Sequence, residues 1–391
     1  MKKFNSISDL AINGAPPAFE ETLHVGRPNI ADRALFDQYV DQIYEAKWLT
    51  NNGPLVQELE HQIQDYLSVK HCVAMCNGTI ALEIATRALN FKREVIVPSF
   101  TFIATAHALQ WQGIKPVFAD IDAKTHNLDP KSVENLITSD TTGIIGVHLW
   151  GRPAPIGELQ KIADKHDLKL MFDSAHAFGC TYEGVSIGNF GECEVLSFHA
   201  TKFFNTFEGG AVVTNNDRLA EQMRLMRNFG FDGLDRVIYS GTNGKMTEIC
   251  AAMGLCNLQV LDEVLDGNRQ NYEEYLAQLD AIVGIKILRN DVRESSNYQY
   301  IVLEVDENFP VKRDQLIEIL HVENIRARRY FWPGCHEMKP YRGQTDEANI
   351  VLENTLQTAE KVLVLPTGAS VSFEDIKSIS SLLRLLSETT Q

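Results

Sequence analysis

An α/β fold is what this sequence predicts: a mostly parallel sheet flanked by helices, followed by a smaller C-terminal α/β domain. Three observations point to it. Short apolar runs alternate with helical segments from about residue 70 to 215, the pattern of strands covered by helices on both faces. Past residue 215 the helices lengthen, and from about 283 strands and helices mix again. The 391 residues suffice for two such units. The sequence divides them at 1–262, including an N-terminal helical segment, and 263–391.

The elements follow in order. "ADRALFDQYVDQIYEAKWL" reads as a helix stopped by the Asn-Gly turn of "TNNGP", with Pro54 opening the next helix. "HCVAMC" (71–76) is strand-like, and "GTIALEIATRAL" (78–89) has a helical period. "EVIVPS" (94–99) leads into the helical "TFIATAHALQWQ" (101–112). "KPVFADI" (115–121) precedes "DPKSVENLI" (129–137), where Asp129 is placed to cap and Pro130 to begin a helix. "GIIGVHLWG", "IGELQKIADKHD", "LKLMFDSAHA", "CEVLSFHA" and "GGAVVTN" continue the alternation to residue 215. A helix at 217–230 and a long helical stretch from Met246 to about Leu279 follow. The remainder mixes strands such as "YQYIVLEV" with helices such as "RDQLIEIL".

Composition narrows the function. With 36 Lys and Arg against 52 Asp and Glu, the formal charge is −16, the wrong sign for a nucleic-acid binder. The seven cysteines include no C-x-x-C pair, so neither a disulfide framework nor a zinc knuckle is expected. "MKKFNSISDLAINGAPPAF" lacks the apolar run of a signal peptide, and no apolar stretch is long enough to span a bilayer. A soluble, cytoplasmic protein with no membrane partner is the expectation. "YSGTNGKMT" fails as a phosphate loop, because Tyr239 and Met246 stand where Gly and a hydroxyl are needed. The chain has no G-x-G-x-x-G after the first strand, no G-x-S-x-G and no H-E-x-x-H. Its histidines show no metal-ligand spacing, so no metal is expected.

One lysine stands out. Lys202 lies in "VLSFHATKFFNTFEGG", a run of apolar, aromatic and small residues. Either its ammonium snorkels outward, or its amine is desolvated, loses a proton and reacts. In open α/β sheets ligands collect at the carboxyl ends of the strands, and Gly78-Thr79, Phe102, Asp173 and Ser197 with Lys202 fall at such ends. Singly, an Asp ending a strand is commonly a cap and Gly-Thr before a helix commonly an N-terminus. Together they match what an aldehyde cofactor asks of a protein: an amine, an acid for the pyridinium nitrogen, a flat face, and donors for a phosphate. Pyridoxal 5'-phosphate is that cofactor. Lys202 is the amine, Asp173 the acid, Phe102 the face, and Gly78, Thr79 and Ser197 the phosphate donors.

"NGTIAL", "PSFTFIATA", "FADID", "DSAHAFG", "SFHATK", "EGGAVVTN" and "GTNGKMTEICAAMG" together resemble the DegT/DnrJ/EryC1/StrS family of sugar aminotransferases, from about residue 45 to the end. The resemblance implies a fold-type I pyridoxal-phosphate enzyme, with pyridoxamine 5'-phosphate as intermediate carrier. It implies Lys202 as the Schiff-base lysine, which also moves the proton, and Asp173 as the pyridinium partner. His176 would lie near the phenolic oxygen, Phe102 on the ring, and Gly78, Thr79 and Ser197 around the phosphate. It implies a homodimer with shared active sites, in which Asn243 completes the partner's phosphate site. Lys245 stands where many relatives have Arg.

The implied reaction moves an amino group from L-glutamate to a nucleotide-linked keto-deoxy sugar. "ATKFFNTFEGG" and "RARRYFWPGCH" resemble the subgroup that turns dTDP-4-keto-6-deoxy-D-glucose into dTDP-4-amino-4,6-dideoxy-D-glucose. The alternatives are a 3-aminotransferase or another nucleotide-sugar aminotransferase of the family, a sugar dehydratase, and a non-catalytic regulator. The dehydratase branch carries His where this chain has Lys202, and a regulator would need a DNA-binding segment that is not visible. Arg326, Arg328, Arg329, Tyr330 and His336 are candidate contacts to the sugar diphosphate; the alternating arginines equally suit a strand facing solvent.

Overall fold

The computed structural model describes residues 2–343 and 352–388. Seven strands form the main sheet: β1 (His71–Met75), β2 (Glu94–Pro98), β3 (Lys115–Ala119), β4 (Thr141–Val147), β5 (Lys169–Asp173), β6 (Cys193–Ser197) and β7 (Gly210–Thr214). Their spatial order is β1-β7-β6-β5-β4-β2-β3. β7 runs antiparallel between β1 and β6, and the other pairings are parallel. The expected mostly parallel sheet is therefore present, with one reversed strand near an edge. Register places Asp173 opposite Val147 on one side and Val195 on the other, in the interior of the carboxyl rim.

Local chemistry sets where the helices begin. The helices are α1 (Arg33–Ala46), α2 (Pro54–Leu67), α3 (Gly78–Ala88), α4 (Ala104–Gln110), α5 (Pro130–Leu136), α6 (Ile156–His166) and α7 (Asp217–Met226). Asp32, Asn77, Asp129 and Asn216 each accept a first-turn N–H, which satisfies donors a helix start leaves free. The Asp129 cap and Pro130 start agree with the sequence reading. The long stretch after Met246 is two helices, α8 (Glu248–Gln259) and α9 (Leu261–Leu279), broken at Val260. The 262/263 boundary drawn from the sequence falls in the first turn of α9.

A second layer follows: β8 (Ile285–Ile287), β9 (Ile301–Val305) and β10 (Val362–Leu365) form an antiparallel sheet. α10 (Arg313–Val322), α11 (Glu353–Lys361) and α12 (Phe373–Glu388) accompany it. The first residues of the chain join this layer. Phe4, Leu10 and Leu23 share its core with Tyr275, Leu316 and Ile325, and Leu23 pairs in parallel with Ile325. A cluster containing Phe100, Trp150, Phe331 and Val302 joins the two layers.

Candidate active site

At the carboxyl rim a cavity of about 310 Å³ opens between the layers. Gly78, Thr79, Phe102, Asp173, His176, Ser197 and Lys202 all line it. Seven positions spread over 125 residues of chain thus meet in one place, brought there by strand ends and the turns after them.

Lys202 sits in the turn between β6 and β7. Its N–H donates to the His199 carbonyl at 2.8 Å. Gln299 of the second layer braces the turn by accepting from the Phe203 N–H and donating to the Thr201 carbonyl. Lys202 keeps some accessible surface because it lines the cavity. Desolvation by the protein around it pushes the ammonium down to about 8, against a smaller upward pull from the Asp173 carboxylate. Lys202 does not snorkel to bulk solvent; its surroundings bring its amine far closer to neutrality than in water.

Asp173 ends β5 with both carboxylate oxygens occupied: Thr105 Oγ1 donates to Oδ2 at 2.8 Å and the Ala175 N–H to Oδ1 at 3.1 Å. Burial raises its proton affinity, while those two donors and Lys202 hold it down. His176 is kept well below the usual histidine range, first by burial and then by Lys202, and is therefore a neutral imidazole. Its Nδ1 accepts the Trp150 N–H at 3.3 Å, so the ring proton sits on Nε2 and His176 is a donor there. Trp150 has a left-handed backbone, φ 63°, a strained conformation for a bulky residue, and that turn aims its N–H at the imidazole.

The phosphate end is built from small residues. Asn77 takes the Ile80 N–H, and the N–H groups of Gly78 and Thr79 precede any intrahelical acceptor. A Cβ on Gly78 would lie 3.1 Å from Ser197 Cβ, and one on Gly210 2.6 Å from the Gly78 nitrogen. Both glycines let the start of α3 approach β6 and β7, leaving two N–H groups, a threonine and a serine hydroxyl around one hollow. This donor set suits a phosphate, with Asp173 and Lys202 in the same cavity for a pyridine ring and its aldehyde. The residues fit pyridoxal phosphate.

Of the candidate sugar-diphosphate contacts, Arg328 and Tyr330 line the cavity, the Arg328 guanidinium lying 4.9 Å from the Tyr330 ring centroid. Arg326 pairs with His24 outside the cavity. Arg329 is held by Asp314 at 3.2 Å and lies over Trp332. His336 bonds through Nδ1 to Ser99 Oγ at 2.6 Å and does not line the cavity. Asn243 is exposed, bridged to Asn228, and outside its own chain's cavity. Sequence reasoning missed Thr105, Trp150, Tyr300 and Phe331. Thr105 lay inside a motif singled out for Phe102. Trp150 stood in "HLWG", where a strand meets glycine. Phe331 stood inside "RARRYFWPGCH", singled out for its arginines, and Tyr300 carried no local signal.

Among the described residues no group of three or more His, Cys, Asp or Glu could hold a metal, and no helix is long and apolar enough to cross a membrane.

Comparison with known proteins places the chain in one family. Residues 31–384 match the model of the DegT/DnrJ/EryC1/StrS aminotransferase family. The chain is 40% identical over 365 residues to a dTDP-4-amino-4,6-dideoxy-D-glucose transaminase of Shigella dysenteriae, covering 93% of this chain and 99% of that one. It is 35% identical to a GDP-perosamine synthase of Caulobacter vibrioides, covering 88% and 93%. A crystal structure of DesI in the presence of its TDP-sugar product superposes with a TM-score of 0.93 at 46% identity, covering 98% of this chain and 97% of that one.

Proposed function

Because the chain belongs to the DegT/DnrJ/EryC1/StrS aminotransferase family, we propose that it moves an amino group from L-glutamate to a nucleotide-linked keto sugar with pyridoxal 5'-phosphate as carrier. The sugar nucleotide is dTDP-4-keto-6-deoxy-D-glucose and the product dTDP-4-amino-4,6-dideoxy-D-glucose. The names of the relatives at 40% and 46% identity support that substrate. One observation carries the chemistry: a lysine amine held at about 8 shares a cavity with a buried carboxylate and a neutral histidine.

When bound, the cofactor supplies an aldehyde that accepts the amino group and a ring that draws electrons from the substrate carbon. Lys202 Nζ would hold the cofactor through its aldehyde and would take up and return the proton of the donor's α-carbon. Asp173 would face the ring nitrogen as an anion, and His176 Nε2–H would donate toward the ring's oxygen. Gly78, Thr79 and Ser197 would hold the phosphate, and Phe102 would cover one face of the ring. Arg328 and Tyr330 stand at the sugar-nucleotide side of the cavity. In a homodimer, a second copy of the chain would bring its Asn243 to the phosphate, and Leu234 and Val237 are exposed apolar residues such an interface could bury.

The test is direct. Purified protein absorbs at about 410–430 nm, where a lysine-bound pyridoxal chromophore absorbs, and loses that band on addition of L-glutamate. Incubation with dTDP- and GDP-linked 3-keto and 4-keto sugars, with NMR to locate the new amine, yields a 4-amino product from the dTDP 4-keto sugar. A protein that takes up no cofactor, or an amine at C3, would refute the reading.

A further inference from the structure

Thr105 has no role in the reaction as described so far, yet its side chain touches the acid on which the chemistry turns. It lies in α4, fully buried, 68 positions from Asp173 in sequence, with Oγ1 2.8 Å from Asp173 Oδ2. Helical threonines commonly bond the carbonyl one turn back; this hydroxyl bonds a carboxylate instead. An ionised carboxylate only accepts, so the Thr105 proton is committed to Asp173. Thr101 Oγ1, 3.4 Å from Thr105 Oγ1, then has only a lone pair to meet and is the donor of that pair. The direction runs from Thr101 through Thr105 to Asp173, from a buried cavity wall to the strand end.

We propose that Thr105 is a positioning residue for the transamination: its hydroxyl orients Asp173 and holds it as the anion that the pyridine nitrogen requires. The inference rests on the pyridoxal-phosphate reading. Two donors, Thr105 and the Ala175 N–H, occupy one oxygen each and leave one lone-pair direction apiece for the ring nitrogen. Without the hydroxyl the carboxylate can turn about its bond to Cβ. It also loses a donor to its charge in a site where water does not replace it, so its proton affinity rises. The shared proton then moves toward Asp173, and the ring draws electrons less well.

Thr105→Val keeps the shape and removes the donor; Thr105→Ser keeps the donor and removes a methyl. Thr105→Val is expected to lower kcat roughly ten- to hundredfold, the effect of one charge-assisted hydrogen bond, with KM for the keto sugar unchanged. It also weakens pyridoxal phosphate binding to cofactor-free protein about tenfold and moves the acid limb of the rate profile to higher pH. Thr105→Ser restores all three. Should Val not yield folded protein by melting curve, Thr105→Ala takes its place. A folded variant without the hydroxyl that keeps wild-type kcat, affinity and acid limb overturns the inference, as does a Ser variant no better than Val. Failure of the wild type itself to take up cofactor would overturn the underlying reading instead, and is distinguished because it precedes any substitution.

Discussion

Cofactor-free protein offered pyridoxal phosphate should capture it at a rate set by the free-amine fraction of Lys202. Burial holds that group at about 8 in place of the ordinary 10.5. At about pH 7 an amine at 8 is about 10% unprotonated and one at 10.5 about 0.03%, a difference of roughly 300-fold. Only the free amine attacks, so capture climbs about tenfold per pH unit below 7.5, bends near 8 and is flat above about 9. Stopped-flow absorbance follows the rate, and borohydride trapping with peptide mass analysis verifies that Lys202 carries the label. Asp173→Asn removes the one neighbouring charge that raises the lysine, so the bend moves to lower pH in that variant. A rate that climbs unbent through pH 10 would show an ordinary solvated lysine, and the burial argument would be wrong.

Other consequences follow from the same geometry. Lys202→Met should stabilise the cofactor-free protein at pH 7, because a buried ammonium is replaced by an apolar chain; the gain is at most about 3 kcal/mol, reduced by cavity water. That gain is largest below pH 8 and disappears as pH rises toward 10.5, where folded and unfolded lysine are both neutral; melting curves across pH check it. Gly78→Ala should leave the fold intact but place a methyl against Ser197 at 3.1 Å, reducing pyridoxal phosphate affinity measured by equilibrium dialysis. Gly210→Ala meets backbone at 2.6 Å and should destabilise by about 1–3 kcal/mol or more in denaturant titration. Lys202→Ala and Asn243→Ala chains, each weak alone, should regain activity when mixed; verified mixed dimers without any rescue would exclude a shared site.

Legibility from sequence varied with the range of the interaction. Asp129 and Pro130 announced a helix start because a cap is settled within three residues. Lys202 and Asp173 were legible because the strand ends that carry them follow from the alternation of strands and helices, whereas His176 was named only through the family resemblance of "DSAHAFG". The arginines of "RARRYF" were not separable by that logic. Alternation puts Arg326 and Arg328 on one face and Arg329 on the other, yet Arg328 reaches the cavity while Arg326 pairs with the N-terminal strand and Arg329 is taken by Asp314.

The chain by itself determined the alternation of strands and helices, and with it the rim where the lysine, acid and histidine must emerge. Periodicity and capping are local, so residue order suffices for them. Folding decided what those three groups are chemically. The Trp150 N–H sets the proton of His176, and Thr105 occupies one oxygen of Asp173. The layers around the cavity take water from Lys202. Each of these effects falls off within a few ångströms and links residues tens of positions apart, so it exists only once the sheet has been assembled.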